Sequence, residues 1–229
     1  MTPEQIYIAI TTNEAITSRR AIVEKMICSC FDSCFKAFLC ETYPKSKMLD
    51  FDLVERTWHI LKGEPSSSST DGLTYTPQHL CFIEAKGWKK FLEHQPELQK
   101  ESINDQEGSR VYYRIKKQTQ KYHFQKKLLE SISICEEIVG NNSIINCVPI
   151  RYLLVTDINI TPNNDSQQDF ASHIFQQLNF LATTSTKWET ICVNEMKDKF
   201  KSDIDGIKGI EARFIQCKQL DEYLSNPLI

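Results

Sequence analysis

Two acidic side chains and a lysine lie on either side of a short predicted hairpin. Asp71 lies two residues before one predicted strand, and Glu84 and Lys86 lie two residues apart at the end of the next. A turn at Pro77-Gln78 aligns these strands so that Asp71 lies opposite Glu84. Facing residues of an antiparallel pair have Cβ atoms about 4.5–5.5 Å apart and point to the same face of the sheet. The sequence therefore predicts that the two carboxylates meet, with Lys86 on the same face.

This arrangement suits chemistry on phosphoryl groups. Carboxylate oxygens are the ligands that hard divalent cations such as Mg²⁺ and Mn²⁺ prefer, so Asp71 and Glu84 are candidate metal ligands. The Lys86 ammonium group can orient a water molecule or neutralise charge that develops on a phosphoryl group. Asp50 and Asp52, on an earlier predicted strand, are rivals for the acidic metal ligand, and Asp52 ranks second to Asp71.

The competing interpretation of Glu84 and Lys86 is an ordinary ion pair that closes an edge strand, which contributes little when exposed. Against it, the pair ends the apolar run Leu80-Cys81-Phe82-Ile83, where burial of an unpaired charge is costly. A second Glu-x-Lys sequence, Glu195-Met196-Lys197, has no facing Asp-Gly hairpin, and we predict that it is solvated surface.

Basic residues are concentrated in one stretch, between Arg110 and Lys127, which contains no acidic residue although the whole chain has a net charge of −3. Tyrosine and phenylalanine residues are interleaved with them, a pattern typical of a surface that neutralises phosphates. We predict that nucleic acid contacts Lys89, Lys90, Arg110, Arg114, Lys117 and Lys121. Gln118 and Lys121 are expected nearest the carboxylates. The alternative is a solvated basic helix face with its aromatic residues in the core.

Hydrophobic periodicity and turn residues predict the elements that position these side chains. Helices are expected over 13–41, 111–139, 165–182 and 220–224, and strands over 48–61, 73–76, 80–86, 151–157 and 210–217. Residues 93–108 are polar and are expected to form a surface excursion.

The sequence Asp71-Gly72, the short hairpin and Phe82-Ile83-Glu84-Ala85-Lys86 resemble the motif of the PD-(D/E)XK superfamily of metal-dependent nucleases. Thr70 stands where that family often has a proline. The family core is a helix, a three-stranded meander, a helix and a fourth strand, the order predicted for residues 13–157. Many members place a glutamate from the first helix near the metal, and Glu24 is the best match by position.

The resemblance implies an α/β, restriction-endonuclease-like fold, in which a central mixed β-sheet is flanked by helices in the order α-β-β-β-α-β. It implies a single domain over 1–229, with a core over about 13–160 and a C-terminal α/β extension over about 161–229. The expected catalytic residues are Asp71, Glu84, Lys86 and Glu24, with Mg²⁺ or Mn²⁺ held by Asp71 and Glu84.

The implied function is a Mg²⁺-dependent DNA endonuclease of restriction, defence or mobile-element type that hydrolyses phosphodiester bonds. Cleavage of both strands requires two active sites, which predicts a homodimer or a partner subunit. Two competing predictions are a non-catalytic nucleic-acid-binding or assembly module that retains the fold, and a protein whose basic helix docks an acidic partner. A nuclease that cleaves RNA is a variant of the endonuclease prediction.

Composition narrows the class of protein. The chain of 229 residues is 41% hydrophobic, enough for one sizeable core, and its apolar runs fall short of the ~20 residues that span a bilayer. The N-terminus lacks the pattern of a secretory signal. The number of cysteines, nine, is odd, which argues against a disulfide framework. Only four of them cluster, Cys28, Cys30, Cys34 and Cys40, and no second pair exists, which argues against a cysteine metal site. We therefore predict a cytoplasmic protein without a membrane partner.

Overall fold

The structure is a computed structural model that describes residues 1–18, 24–26, 47–100, 103–140, 143–158 and 184–225. One six-stranded sheet organises it, with strands in sequence order. They are β1 (Glu24–Met26), β2 (Lys47–Asp50), β3 (Gly72–Tyr75), β4 (Leu80–Lys86), β5 (Ile150–Thr156) and β6 (Ile210–Gln216). Strands β1 to β4 are antiparallel neighbours, whereas β5 is parallel to β4 and β6 is parallel to β5. The predicted α/β class with a mixed sheet flanked by helices is confirmed.

Nine α-helices and two 3₁₀ turns connect the strands in the described residues. The helices are α1 (Pro3–Thr11), α2 (Glu14–Thr17), α3 (Phe51–Lys62), α4 (Lys89–Glu93), α5 (Asp105–Gln120), α6 (Phe124–Val139), α7 (Ile144–Cys147), α8 (Thr184–Ile204) and α9 (Leu220–Ser225). The 3₁₀ turns are Pro96–Gln99 and Cys217–Gln219. No helix in this part of the chain is both long and apolar enough to cross a bilayer.

The sheet has unequal layers on its two faces. Alternate residues of β4 and β5, such as Phe82 and Tyr152, join a large core formed with α1, α3, α5, α6 and α8. Ile83 and Leu153 point to the other face and pack in a smaller cluster with Leu220 of α9. Burial on both faces explains why β5 is apolar along most of its length instead of alternating. A polar side chain on these strands is therefore placed inside the protein.

The strand predicted over 48–61 is wrong beyond Asp50. Residues 51–62 form α3, because the Asp50 side chain accepts a hydrogen bond from the Leu53 backbone N–H at 3.3 Å and caps a new helix. Gly63 ends that helix in the left-handed conformation, with φ of 70°. Asp52, the rival metal ligand, consequently lies in the first turn of a helix.

Two helix predictions also need correction. The helix predicted over 13–41 is contradicted at Glu24–Met26, which form β1 against β2, while residues 19–23 and 27–46 lie outside the described residues. The single helix predicted over 111–139 is two helices, α5 and α6, separated at residues 121–123. The excursion predicted over 93–108 includes a 3₁₀ turn and the start of α5, which Asn104 caps. The helix predicted over 165–182 lies outside the described residues.

Candidate active site

The hairpin forms with the predicted register. Leu73 pairs with Phe82, and Tyr75 pairs with Leu80. Continuing that register by one pair on the same face brings Asp71 opposite Glu84. The Asp71 side chain also closes the end of the ladder, because its Oδ2 accepts a hydrogen bond from the Ala85 backbone N–H at 2.6 Å. The hairpin therefore brings the two predicted carboxylates together at the end of β4.

Two lysines, from different elements, bind the inner carboxylate. Lys86 of β4 and Lys127 of α6 both donate to Oε1 of Glu84, Lys127 at 2.7 Å. Their ammonium nitrogens also lie 3.8 Å and 3.9 Å from the oxygens of Asp71. Each ammonium group thus contacts both carboxylates. This pattern shows that a single cation can touch Asp71 and Glu84 at once.

Burial sets the electrostatics of this cluster. The Glu84 side chain is 0% exposed, compared with 22% for Asp71 and 27% for Lys127. Burial and the nearby Asp71 carboxylate raise the pKa of Glu84, against the opposing effect of Lys86 and Lys127. Burial alone lowers the pKa of Lys86, but the Glu84 and Asp71 carboxylates outweigh it and raise that pKa. Lys86 therefore stays charged, whereas burial disfavours the charged form of Glu84.

An aromatic ring covers Lys86. The Nζ atom of Lys86 lies 5.2 Å from the centre of the Tyr122 ring, within the range of a cation–π contact. Tyr122 reaches this position because the chain breaks between α5 and α6, and its hydroxyl accepts a hydrogen bond from Gln118 at 3.4 Å. Gln118, predicted to approach the carboxylates, is thus connected to Lys86 through Tyr122.

The serine-rich loop before Asp71 is held by α3 and α6. The Thr70 backbone N–H donates to Oγ of Ser131 at 2.9 Å, and the Ser68 N–H donates to Glu130 at 2.6 Å. Ser69 Oγ donates to Asp52 at 2.6 Å. These bonds fix the backbone immediately before Asp71. They also show that Asp52 contacts the loop that leads to Asp71.

The donor set of the site is compatible with a divalent cation. Oε2 of Glu84 is buried and has no hydrogen-bond partner, so one carboxylate oxygen of the cluster has its bonding capacity unused. The described residues contain no group of three or more His, Cys, Asp or Glu side chains arranged to hold a metal. Mg²⁺ is often held by one or two carboxylates and keeps several water ligands. Asp71 and Glu84 therefore fit Mg²⁺ or Mn²⁺ as a two-carboxylate set.

The predicted nucleic-acid contacts lie on two helices. Arg110, Arg114, Lys117 and Lys121 recur at intervals of four, three and four residues, so they share one exposed face along α5. Arg114 is already engaged, since it donates to Glu97 at 2.7 Å and to Gln95 at 3.1 Å.

The other predicted contacts, Lys89 and Lys90, are exposed at the start of α4. The backbone N–H groups of Trp88 and Lys89, at the N-terminus of this helix, donate hydrogen bonds to the Asp157 carboxylate.

The interleaved aromatic residues divide between surface and core. Tyr112 and Tyr113 are exposed on α5, whereas Phe124 is fully buried and its ring contacts that of Tyr122 at 5.5 Å between centroids. Tyr112 is not free, since its hydroxyl donates to Glu195 at 2.8 Å. The aromatic residues of the stretch therefore lie only partly in the core, and their contact with nucleic acid stays a prediction.

One predicted site residue, Glu24, and one residue that the prediction left out, Lys127, need separate comment. Glu24 was expected on a helix beside the metal, but it lies in β1 and pairs with Leu49, and the placement of its side chain is outside the described residues. Lys127 was recognised only as part of the basic stretch, although it directly contacts Glu84. Lys127 lies one turn before Ser131 on α6, and Ser131 contacts the loop before Asp71. This relation is visible only once the break between α5 and α6 is known.

Comparisons of the chain with protein-family models, with curated proteins and with solved structures found no match.

Proposed function

We propose that this protein is a Mg²⁺- or Mn²⁺-dependent endonuclease that hydrolyses phosphodiester bonds in DNA. The observation that carries the proposal is the buried Glu84 carboxylate, which faces Asp71 and contacts two lysines at the end of β4. A buried charge cluster of this kind costs folding free energy, so its presence favours a catalytic or binding role. The proposal includes a cytoplasmic location and assembly with a second copy or a partner subunit.

The positions of Asp71, Glu84, Lys86 and Lys127 each support a role. Asp71 and Glu84 would hold the metal ion, which when bound polarises the phosphoryl group and lowers the pKa of a water molecule. Lys86 would orient the attacking water, and Tyr122 limits the positions that its ammonium group can take. Lys127, which projects from α6, neutralises the charge of the Asp71 and Glu84 carboxylates. For Glu24 we propose an assisting role at the metal.

The basic face of α5 supports a nucleic acid as substrate. Lys117 and Lys121 lie on its last turns, and the chain then passes directly to Tyr122 beside Lys86. A phosphate backbone that follows this face would be led to the carboxylates. The order of strands β2, β3 and β4, which are antiparallel neighbours followed by helices and then by β5 parallel to β4, supports the family resemblance, and β1 adds a fourth antiparallel strand.

The test is cleavage of supercoiled and linear DNA in the presence of Mg²⁺ or Mn²⁺. We expect Glu84→Ala and Lys86→Ala to reduce the rate by at least about 100-fold, as is common when a charge-stabilising group is removed from an active site. Lys197→Ala, in the second Glu-x-Lys sequence, is the matched control because Lys197 is exposed on α8, and it should retain full activity. Cleavage that persists unchanged in both site variants would refute the mechanism.

One observation favours a non-catalytic alternative. Oε1 of Glu84 already receives two ammonium groups, so the carboxylate charge is balanced within the fold without a metal. A protein that retained this fold only to bind DNA or to assemble with a partner would not need a metal ion at this site. It would bind DNA in a salt-sensitive way and show no metal-dependent cutting at any enzyme concentration.

A further inference from the structure

Three buried polar atoms without hydrogen-bond partners lie on one face of β4 and β5. They are Oε2 of Glu84, the hydroxyl oxygen of Tyr152 and Oγ1 of Thr156. Glu84 pairs with Leu154 of β5. Tyr152 and Thr156 lie two residues before and two residues after Leu154, so their side chains are on the same sheet face as Glu84. The same strands thus bring together two hydroxyl groups and one carboxylate oxygen.

Such a concentration is unusual inside a protein. A buried polar group without a partner destabilises the folded state, and native structures satisfy nearly all such groups with protein atoms or ordered water. Three other buried atoms in the described residues also lack hydrogen-bond partners, but they lie apart: His59 Nδ1 in α3, His79 Nδ1 in the turn before β4 and Trp188 Nε1 in α8. The grouping on β4 and β5 therefore indicates a common partner.

The Tyr152 side chain is buried on the sheet face that also carries Glu84. The residue is 0% exposed, and its ring packs against Phe200 of α8 at 5.1 Å between centroids. Burial first, and then the carboxylates of Glu84, Asp71 and Asp203, raise the pKa of Tyr152 well above its ordinary value. Its hydroxyl consequently keeps its proton near neutral pH and can donate a hydrogen bond.

The geometry points to a buried water site behind the carboxylates, in which the Tyr152 hydroxyl is linked through an ordered water molecule to one lone pair of Glu84 Oε2, and the second lone pair of that oxygen stays available to a metal ion. The chemistry is complementary, because the water accepts from the tyrosine hydroxyl and donates to the carboxylate oxygen, and such waters typically make about three hydrogen bonds. The Thr156 hydroxyl, opposite Lys86 in the register, can take a further bond of the same network. Tyr152 is then a positioning residue that fixes Glu84 from the inside while Lys86 and Lys127 hold it from the outside.

For metal binding, this inference rests on the function proposed above. Support for a metal ligand from residues behind it typically contributes about 10- to 100-fold to metal affinity. We therefore expect Tyr152→Phe, which removes only the hydroxyl, to weaken Mn²⁺ binding in calorimetry by at least about 10-fold. Tyr75→Phe is the matched control, because the Tyr75 hydroxyl lies elsewhere on the sheet and bonds to Glu4. It should leave the affinity unchanged.

A second measurement needs no metal. The infrared band of the Glu84 carboxyl group is isolated as the difference between the protein and its Glu84→Gln variant, once with Tyr152 and once with Tyr152→Phe. We expect the band to shift in the Tyr152→Phe background, and a crystal structure to show a water within hydrogen-bond distance of both groups. An unchanged band together with an apolar, water-free gap would overturn the inference. If the band shifts but Mn²⁺ does not bind even the unmodified protein, the water site stands and the metal-dependent function fails.

Discussion

Replacement of Ser131 by alanine tests whether the loop before Asp71 is held by α6. Ser131 and Thr70 are both fully buried. Oγ of Ser131 accepts a hydrogen bond from the Thr70 backbone N–H at 2.9 Å and lies 3.2 Å from the Thr70 hydroxyl oxygen. The variant Ser131→Ala removes this acceptor and leaves a backbone N–H inside the protein without its partner.

The expected loss of stability follows from that single donor. An unsatisfied buried N–H costs about 1–3 kcal/mol in the free energy of unfolding. For a chain of 229 residues, each kcal/mol lowers the melting temperature by about 2–4 °C, so we expect a decrease of about 2–12 °C. Thr70→Val should cost less than Ser131→Ala, because the backbone N–H of residue 70 then keeps its acceptor. Mn²⁺ affinity should also fall in Ser131→Ala, since Asp71 follows the released residue.

The measurement is urea unfolding followed by circular dichroism, together with calorimetric titration of Mn²⁺. Ser133→Ala is the matched control, since Ser133 is exposed on the same helix and undergoes the same chemical change. We expect this control to stay within about 0.5 kcal/mol of the unmodified protein. If Ser131→Ala is equally neutral, the proposed hydrogen bond does not hold the loop and the account of how Asp71 is positioned is wrong.

Three further predictions concern charge, packing and nucleic acid. The folded state binds the Glu84 proton more tightly than the unfolded chain does, so this group's contribution to stability decreases as pH rises from its ordinary pKa through its raised pKa. Glu84→Gln should therefore gain stability relative to the unmodified protein between acidic and neutral pH in unfolding titrations, and a constant difference would contradict this. Gly72→Ala should lose about 1–3 kcal/mol in urea unfolding, because the added methyl group would clash with the buried Met48 side chain, and a neutral result would mean that Met48 moves aside. The double variant Lys117→Ala, Lys121→Ala should weaken DNA binding and lower the salt slope by about 0.9 per lost phosphate contact in anisotropy titrations. An unchanged slope would show that α5 does not contact the backbone of DNA.

The hairpin could be predicted from the sequence because its information is local. Pro77 and Gln78 mark the turn, and the apolar run from Leu80 to Ile83 identifies a buried strand. Once the turn is fixed, pairing by twos leaves only one register in which Leu73 and Phe82 share the core face. That register also brings Asp71 to Glu84, which is why the centre of the candidate site could be located without a structure.

The prediction for the segment after β2 was wrong because a strand-like alternation and a helix-capping residue occur in the same segment. Leu49, Phe51 and Leu53 alternate with aspartates as a strand does, but the capping side chain of Asp50 starts a helix in the middle of that pattern. Helix capping decides because the buried residues Phe51 and Val54 then fall on one helix face, against the core. A local alternation over five residues could not reveal this choice.

Lys127 escaped prediction because its role depends on a break in a long basic stretch. Nothing in the spacing of the lysines distinguishes it from Lys126, which is exposed and 3.7 Å from Glu130. The chain stops being helical at residues 121–123, and α6 then starts in a new direction that turns Lys127 toward Glu84. Tertiary packing therefore determines which basic residue joins the carboxylates.

Helix α6 connects the two halves of the candidate site. Its residue Lys127 contacts both Glu84 and Asp71, while Ser131, one turn later, holds the backbone before Asp71. If the charged cluster served stability alone, well-packed apolar side chains would serve as well or better, since a buried ion pair rarely repays the loss of hydration. The structure instead uses one helix to neutralise a buried carboxylate and to fix its neighbour within reach of the same cation. That double use is expected of a site in which the relative position of two carboxylates matters, and it supports the proposal that Asp71 and Glu84 bind a metal ion.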